Sequence, residues 1–133
     1  MRHKQIAFEF FPDAHLPSVL GISDQIRQVV LNLFLNAIEV MQPGGCLTVQ
    51  TWRLTAEKEV LLSVKDTGPG IDPELLATIF EPFITNKPTG TGLGLSITLD
   101  IIHQHHGRIE AANNAEGGAL FKVWLPVSEK VTV

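Results

Sequence analysis

The sequence predicts an α+β sandwich: one mixed, mainly antiparallel sheet of about five strands, with three helices packed on one face. Three observations point there. Five short apolar stretches are rich in β-formers, and four of them fall into two pairs joined by polar connections, as hairpins do. Longer stretches with helical spacing and terminal capping residues alternate with those pairs. A layer of helices over one face of a sheet is then the stable way to bury both.

The elements follow in order. "IAFEF" (6–10) alternates loosely and reads as a strand, followed by a loop containing Pro12 and Pro17. Ser23 can cap a helix from Asp24 to about Gln42, which Pro43-Gly44-Gly45 ends. "LTVQTWRL" (47–54) and "VLLSVKD" (60–66), joined by "TAEKE", form a hairpin. Asp72-Pro73-Glu74 starts a short helix, with a capping carboxylate and proline in the first helical position; it ends near Phe80. A long loop (81–91) leads to a helix from about Gly92 to His106, with Gly107 as its stop. "RIEAAN" (108–113) and "ALFKVWLP" (119–126), separated by Asn114 to Gly118, make the second hairpin.

At 133 residues the chain is most simply one domain, 1–133. That length buries roughly two-thirds of its unfolded surface, enough for its own core. The net charge of −4 offers no electrostatic footprint for nucleic acid or for an anionic membrane. Cys46 is the only cysteine, so no internal disulfide forms, which suits a reducing compartment. No apolar run reaches eighteen residues and no signal peptide is read, so a soluble, cytoplasmic chain is expected, one piece of a longer protein.

Four clusters carry chemistry. Asn32 and Asn36 lie four apart on one face of an otherwise apolar helix. They are either solvent-facing amides or partners for a ligand, a carboxamide oxygen being a hard donor that suits Mg²⁺. "DTGPGI" (66–71) is a tight turn, or a site where Asp66 accepts a hydrogen bond from an exocyclic amine. Adenine has that amine; guanine has a carbonyl oxygen there and would be rejected. In "IFEPF" (79–83), Phe80 and Phe83 anchor the ends of a loop, which is also what the hinges of a lid need. In "NKPTGTGLGLS" (86–96), Gly90, Gly92 and Gly94 let backbone N–H groups at a helix start approach an anion, and Lys87 can reach a terminal phosphate. The spacing is neither that of a Walker A loop nor that of a Rossmann fingerprint.

Those clusters, in that order, resemble the N, G1, F and G2 boxes of the ATP-binding catalytic domain of sensor histidine kinases, and "ALFKVWLP" resembles its closing strand. The likeness covers about residues 5–127. It implies the Bergerat fold, ATP and Mg²⁺ as ligands, Asn36 on the metal and Asn32 assisting at the phosphates. Asp66 would bind the adenine amine, with Gly68, Gly70 and Ile71 shaping the base pocket. Phe80, Thr91 and Leu93 would be further nucleotide-binding positions, and phosphates would rest on Gly90, Gly92 and Gly94 beneath a lid of residues 84–92. "FITNK" and the short lid look most like the nitrogen-regulation class.

Departures from the family pattern sharpen the reading. Glu39 and Thr85 stand where many relatives have basic residues, which leaves Lys87 as the side-chain cation for the phosphates. Ala119 replaces a threonine of the closing strand, at the cost of one base contact, and His106-Gly107-Arg108 replaces the frequent "HGG". Gyrase-type and chaperone-type hydrolases of the superfamily carry a glutamate at the Asn32 position. An amide is not basic enough to activate water. The resemblance therefore implies transfer of the γ-phosphate to a histidine on a separate helical dimerisation domain, and onward to a response regulator.

No acceptor histidine is read in this chain. His3 and His15 lack the usual acidic neighbour in a helix, and His103, His105 and His106 fall in a last helical turn that suits cations. The alternatives are an anti-sigma-type protein-serine kinase and a nucleotide sensor without transfer.

Overall fold

The computed structural model describes residues 5–13, 23–81 and 94–127. Its elements are β1 (Ala7–Phe11), α1 (Ser23–Val40), β2 (Cys46–Leu54), β3 (Glu59–Lys65), α2 (Pro73–Leu76), α3 (Gly94–Gln104), β4 (Arg108–Asn113) and β5 (Ala119–Pro126). The strands form one sheet in the order β1-β2-β3-β5-β4. β1 runs parallel to β2, while β2–β3, β3–β5 and β4–β5 are antiparallel.

Period-two alternation decides which face is covered. Val64 lies opposite Phe121, Leu62 opposite Val123 and Val60 opposite Leu125, where the two hairpins meet in the middle of the sheet. All of these but Val60, with Leu47, Val49 and Ile109, pack against Val29, Leu33, Ala37 and Met41 of the α1 region and Ile101 and Ile102 of α3. The α1 residues recur every fourth position, one stripe of the helix. Phe80, just after α2, meets Phe121 edge-on at 6.3 Å between ring centroids, so the chain after α2 joins the same layer. Full burial of a side chain such as Leu33 contributes about 1.5–3 kcal/mol, and Leu33 is 0% exposed.

The other face has no helical cover among the described residues. Trp52, Leu61, Trp124 and Arg108 form one row across four strands. The Arg108 guanidinium lies 4.0 Å above the Trp124 ring. That planar cation buries the indole while keeping its own charge in water.

The boundaries differ from expectation in ways with local causes. α1 ends at Val40 instead of near Gln42, because Pro43 pushes the residue before it out of the helical region. Met41 still donates its N–H to the Ala37 carbonyl at 3.2 Å. α2 is a single turn, capped as expected by Asp72 Oδ1, which accepts from Glu74 N–H at 3.0 Å. The chain continues to Glu81 in tighter turns, Thr78 N–H to Leu75 O and Glu81 N–H to Thr78 O. At the end of α3 the left-handed residue is His106, with φ 60°, not Gly107. His106 N–H bonds to His103 O and Gly107 N–H to Ile102 O, a Schellman closure. Gly107 is needed for a different reason: a Cβ there would stand 2.3 Å from the Trp124 carbonyl oxygen. Among the described residues no helix is long and apolar enough to cross a membrane.

Candidate nucleotide site on one stripe of α1

The side chains of Asn32, Asn36 and Val40 succeed one another at four-residue spacing on α1, beside its buried stripe. Eight residues of helix set the ends about 12 Å apart. At the first end, Asn32 Nδ2 donates to the Gly94 carbonyl and to Thr98 Oγ1, both at 3.2 Å, while its Oδ1 accepts from Gln28 Nε2 at 2.7 Å. Thr98, 0% exposed, also donates to the Gly94 carbonyl at 2.8 Å. The carboxamide of Asn32 thus fastens α1 to the first turn of α3 and fixes where Gly94 sits.

At the other end, the loop that follows β3 lies directly on α1. A Cβ on Gly68 would be 3.2 Å from both Val40 Cγ2 and Asp66 Oδ1, tighter than ordinary contact, so a larger residue there needs those side chains to give way. Asn36, half-buried, occupies the stripe between the two ends. A cavity of about 480 Å³ opens beside this loop, walled by Val40, Gln42, Gly45, Thr67 and Gly68. Asp66 is not on its wall, so the cavity adjoins the carboxylate without containing it.

Asp66 continues the β3–β5 pairing by one residue, its N–H bonding to Ala119 O at 3.0 Å. Its side chain is 2% exposed. A buried carboxylate is tolerated only where hydrogen bonds replace water, and here Oδ1 accepts from Gly68 N–H at 2.9 Å and Ala119 N–H at 3.0 Å. Among the described residues no hydrogen bond falls on Oδ2. The hairpin that holds Asp66 comes close: Gly118 adopts φ 89°, and a Cβ on it would lie 2.0 Å from the Asp66 carbonyl oxygen.

The expected site residues are therefore placed as follows. Asn32, Asn36, Gly68 and Gly94 gather along the α1 stripe, with Asp66, Gly70 and Ile71 on the adjoining loop. Phe80 is an anchor in the core against Phe121. Phe83, Thr85, Lys87, Gly90, Thr91, Gly92 and Leu93, and with them the lid, lie outside the described residues, as do His3 and His15. His103 is exposed in the last turn of α3, whereas His105 is buried with Nδ1 2.8 Å from the Ile101 carbonyl oxygen. Among the described residues no group of three or more His, Cys, Asp or Glu is placed to hold a metal ion. Sequence reasoning missed Val40, Thr98, Asn113 and Gly118. Val40 was within reach of it, as the next four-residue step after Asn36.

Residues 21–129 match the family described as histidine kinase-, DNA gyrase B-, and HSP90-like ATPase. The sensor histidine kinase ZraS of Salmonella typhi is 39% identical over 124 residues, which are 93% of this chain and 26% of ZraS. The solved catalytic domain of histidine kinase ThkA superposes with a TM-score of 0.82 at 37% identity, covering 92% of this chain and 79% of that one. ThkA in complex with the response regulator TrrA matches with a TM-score of 0.78 at 35% identity, over 95% of this chain and 36% of that one. The chain belongs to the histidine kinase-, DNA gyrase B- and HSP90-like ATPase family, and its sandwich is the Bergerat fold of histidine kinase catalytic domains. It spans about a quarter of the length of the curated relatives it matches.

Proposed function

We propose that this chain is one ATP-binding catalytic domain, 1–133, of a two-component sensor kinase that works in the cytoplasm. It binds Mg-ATP and hands the γ-phosphate to a histidine on a separate helical dimerisation domain, from which the phosphoryl group reaches a response regulator. The observation that carries this reading is the α1 stripe. It connects the glycine start of α3 to the loop bearing a buried carboxylate, across roughly the length of a nucleotide.

Each residue has a task in that scheme. Asp66 Oδ2 accepts from the adenine amine, and Gly68 lets the base lie close to α1. Gly94, held by Asn32, continues with Gly90 and Gly92 as a source of backbone N–H groups for phosphate oxygens. Lys87 supplies a side-chain cation. Asn36 offers a hard carboxamide oxygen to Mg²⁺, a fit for an ion that prefers oxygen donors and is completed by substrate phosphates. When bound, the ion offsets charge on the transferring phosphoryl group.

The chain contributes positioning, not a base. Asn32 has no basic lone pair, and both ends of its amide are engaged in hydrogen bonds. Water therefore lacks an activating group at that position, and ATP keeps until an imidazole arrives. Exposed apolar side chains on α1 (Leu31 and Leu35) and on the edge strand (Phe8 and Phe10) give a helical partner domain surface to bury. The "FITNK" segment and short lid favour the nitrogen-regulation class of such kinases.

Incubation with radiolabelled ATP and a helical dimerisation domain should give acid-labile phosphate on that domain, with little free orthophosphate released by this chain alone. Acid-stable phosphate would indicate a serine kinase, and ATP binding without transfer a nucleotide sensor. Asn36→Ala should leave the metal-free affinity for ADP unchanged and abolish its enhancement by Mg²⁺. Calorimetry with and without EDTA reads both, and persistent Mg²⁺ stimulation would remove Asn36 from the metal site.

A further inference from the structure

We infer that Asn113 is a positioning residue for base recognition and acts through Ile71; this rests on the reading of Asp66 as the adenine acceptor. Asn113 ends β4, and its side chain makes two bonds to a single residue 42 positions away. Oδ1 accepts from Ile71 N–H at 2.6 Å, and Nδ2 donates to the Ile71 carbonyl at 2.7 Å. A carboxamide used this way reproduces the pair of bonds exchanged by opposed residues of an antiparallel ladder. It extends the edge of β4 by one side chain, onto the loop.

The local backbone makes room for it. Gly70, with φ 83°, passes so close that a Cβ would stand 2.7 Å from Asn113 Oδ1. The other end of the loop is pinned to the same hairpin, since Asp66 N–H bonds to Ala119 O and Ala119 N–H to Asp66 Oδ1. Asn113 and Ala119 are themselves register partners across β4 and β5. Both ends of the Asp66–Ile71 loop are therefore fixed to one cross-strand pair. The four residues between them are shaped before any ligand arrives, and a preformed loop need not be ordered at the expense of affinity.

Without Asn113 the Asp66 end keeps its bonds and the Ile71 end is released. The test titrates ADP with Mg²⁺ by calorimetry into the parent chain, Asn113→Ala and Asn113→Asp, with circular dichroism confirming the fold and Asp66→Asn run in parallel. Asn113→Ala should raise the ADP Kd about tenfold, the order expected from losing two exposed hydrogen bonds. Asn113→Asp keeps the shape and the acceptor for Ile71 N–H but places a carboxylate against the Ile71 carbonyl. That contact raises the new carboxyl above its ordinary value of about 3.9. Its affinity relative to the parent should be low at pH 8 and recover as the pH falls through that raised value, where the protonated carboxyl again donates.

A merely structural role would lower stability without giving that pH-dependent recovery of affinity. Unchanged ADP affinity in both Asn113 variants, or a deficit in Asn113→Asp that does not vary with pH, would overturn the positioning role. If Asn113→Ala does not fold, the pH series of Asn113→Asp decides alone. Should Asp66→Asn also bind ADP like the parent, the base site itself is misplaced and the functional reading falls; if Asp66→Asn binds weakly while the Asn113 variants bind normally, only this inference falls.

Discussion

Asp66→Asn is expected to weaken adenine-nucleotide binding about a hundredfold, near 2.7 kcal/mol, with the protein still folded at 25 °C. The carboxylate receives two backbone N–H groups on Oδ1, from Gly68 and Ala119. An asparagine in the same pose keeps its oxygen there and must turn its NH₂ to where Oδ2 stood. A donor then faces the exocyclic amine of adenine, itself a donor. The flipped amide is worse, because its NH₂ meets two N–H donors inside a site where residue 66 is 2% exposed. Either pose loses a bond to a charged group, about 1.5–3 kcal/mol, and adds a mismatch. Guanine has an acceptor at that position, so the preference for ADP over GDP should narrow in the variant. Calorimetric titration with both nucleotides reads this, and unchanged ADP affinity would take the base away from residue 66.

How far the sequence reveals this molecule depends on how local each signal is. The second hairpin falls on 108–113 and 119–126 as expected, because alternation and a glycine-containing connection are contained within a few residues. The order of the sheet is not local. Nothing in "IAFEF" says that β1 pairs parallel with β2, and nothing in either hairpin says that β3 and β5 are neighbours. Gly107 shows the limit of a local rule. It stands where a helix-stopping glycine should, yet His106 takes the left-handed conformation, and the glycine answers to a carbonyl on β5.

The site divides in the same way. Asn32, Asn36, Asp66 and Gly94 are legible because each sits in a short motif. The bonds that join the motifs span 62, 53 and 42 residues: Asn32 to Gly94, Ala119 to Asp66, and Asn113 to Ile71. Nothing local to either partner of these bonds marks the other. Phe80 had two readings, anchor or hinge, and its ring against Phe121 supplies the first.

Gly118→Ala should cause the largest loss of stability of any single methyl addition in the β4–β5 connection, about 3 kcal/mol or more. Gly117 and Gly118 are adjacent and both left-handed, with φ 98° and 89°. An alanine at either carries the strain of that conformation, about 1–2 kcal/mol. They differ in what the new methyl meets. At 117 nothing lies within 4 Å, whereas at 118 the Asp66 carbonyl oxygen would be 2.0 Å away and its carbon 2.8 Å. Backbone cannot rotate aside as a flexible side chain does, so β3 and β5 must part at residue 66. That parting breaks the Asp66–Ala119 bonds in both directions. Gly117→Ala is therefore the internal control: urea denaturation should show a small loss there and a much larger one for Gly118→Ala. Any Gly118→Ala protein that remains folded should also bind ADP weakly, because the carboxylate moves with its backbone. Equal losses at the two positions would mean that the hairpin does not press on Asp66, and the preformed loop would lose its support.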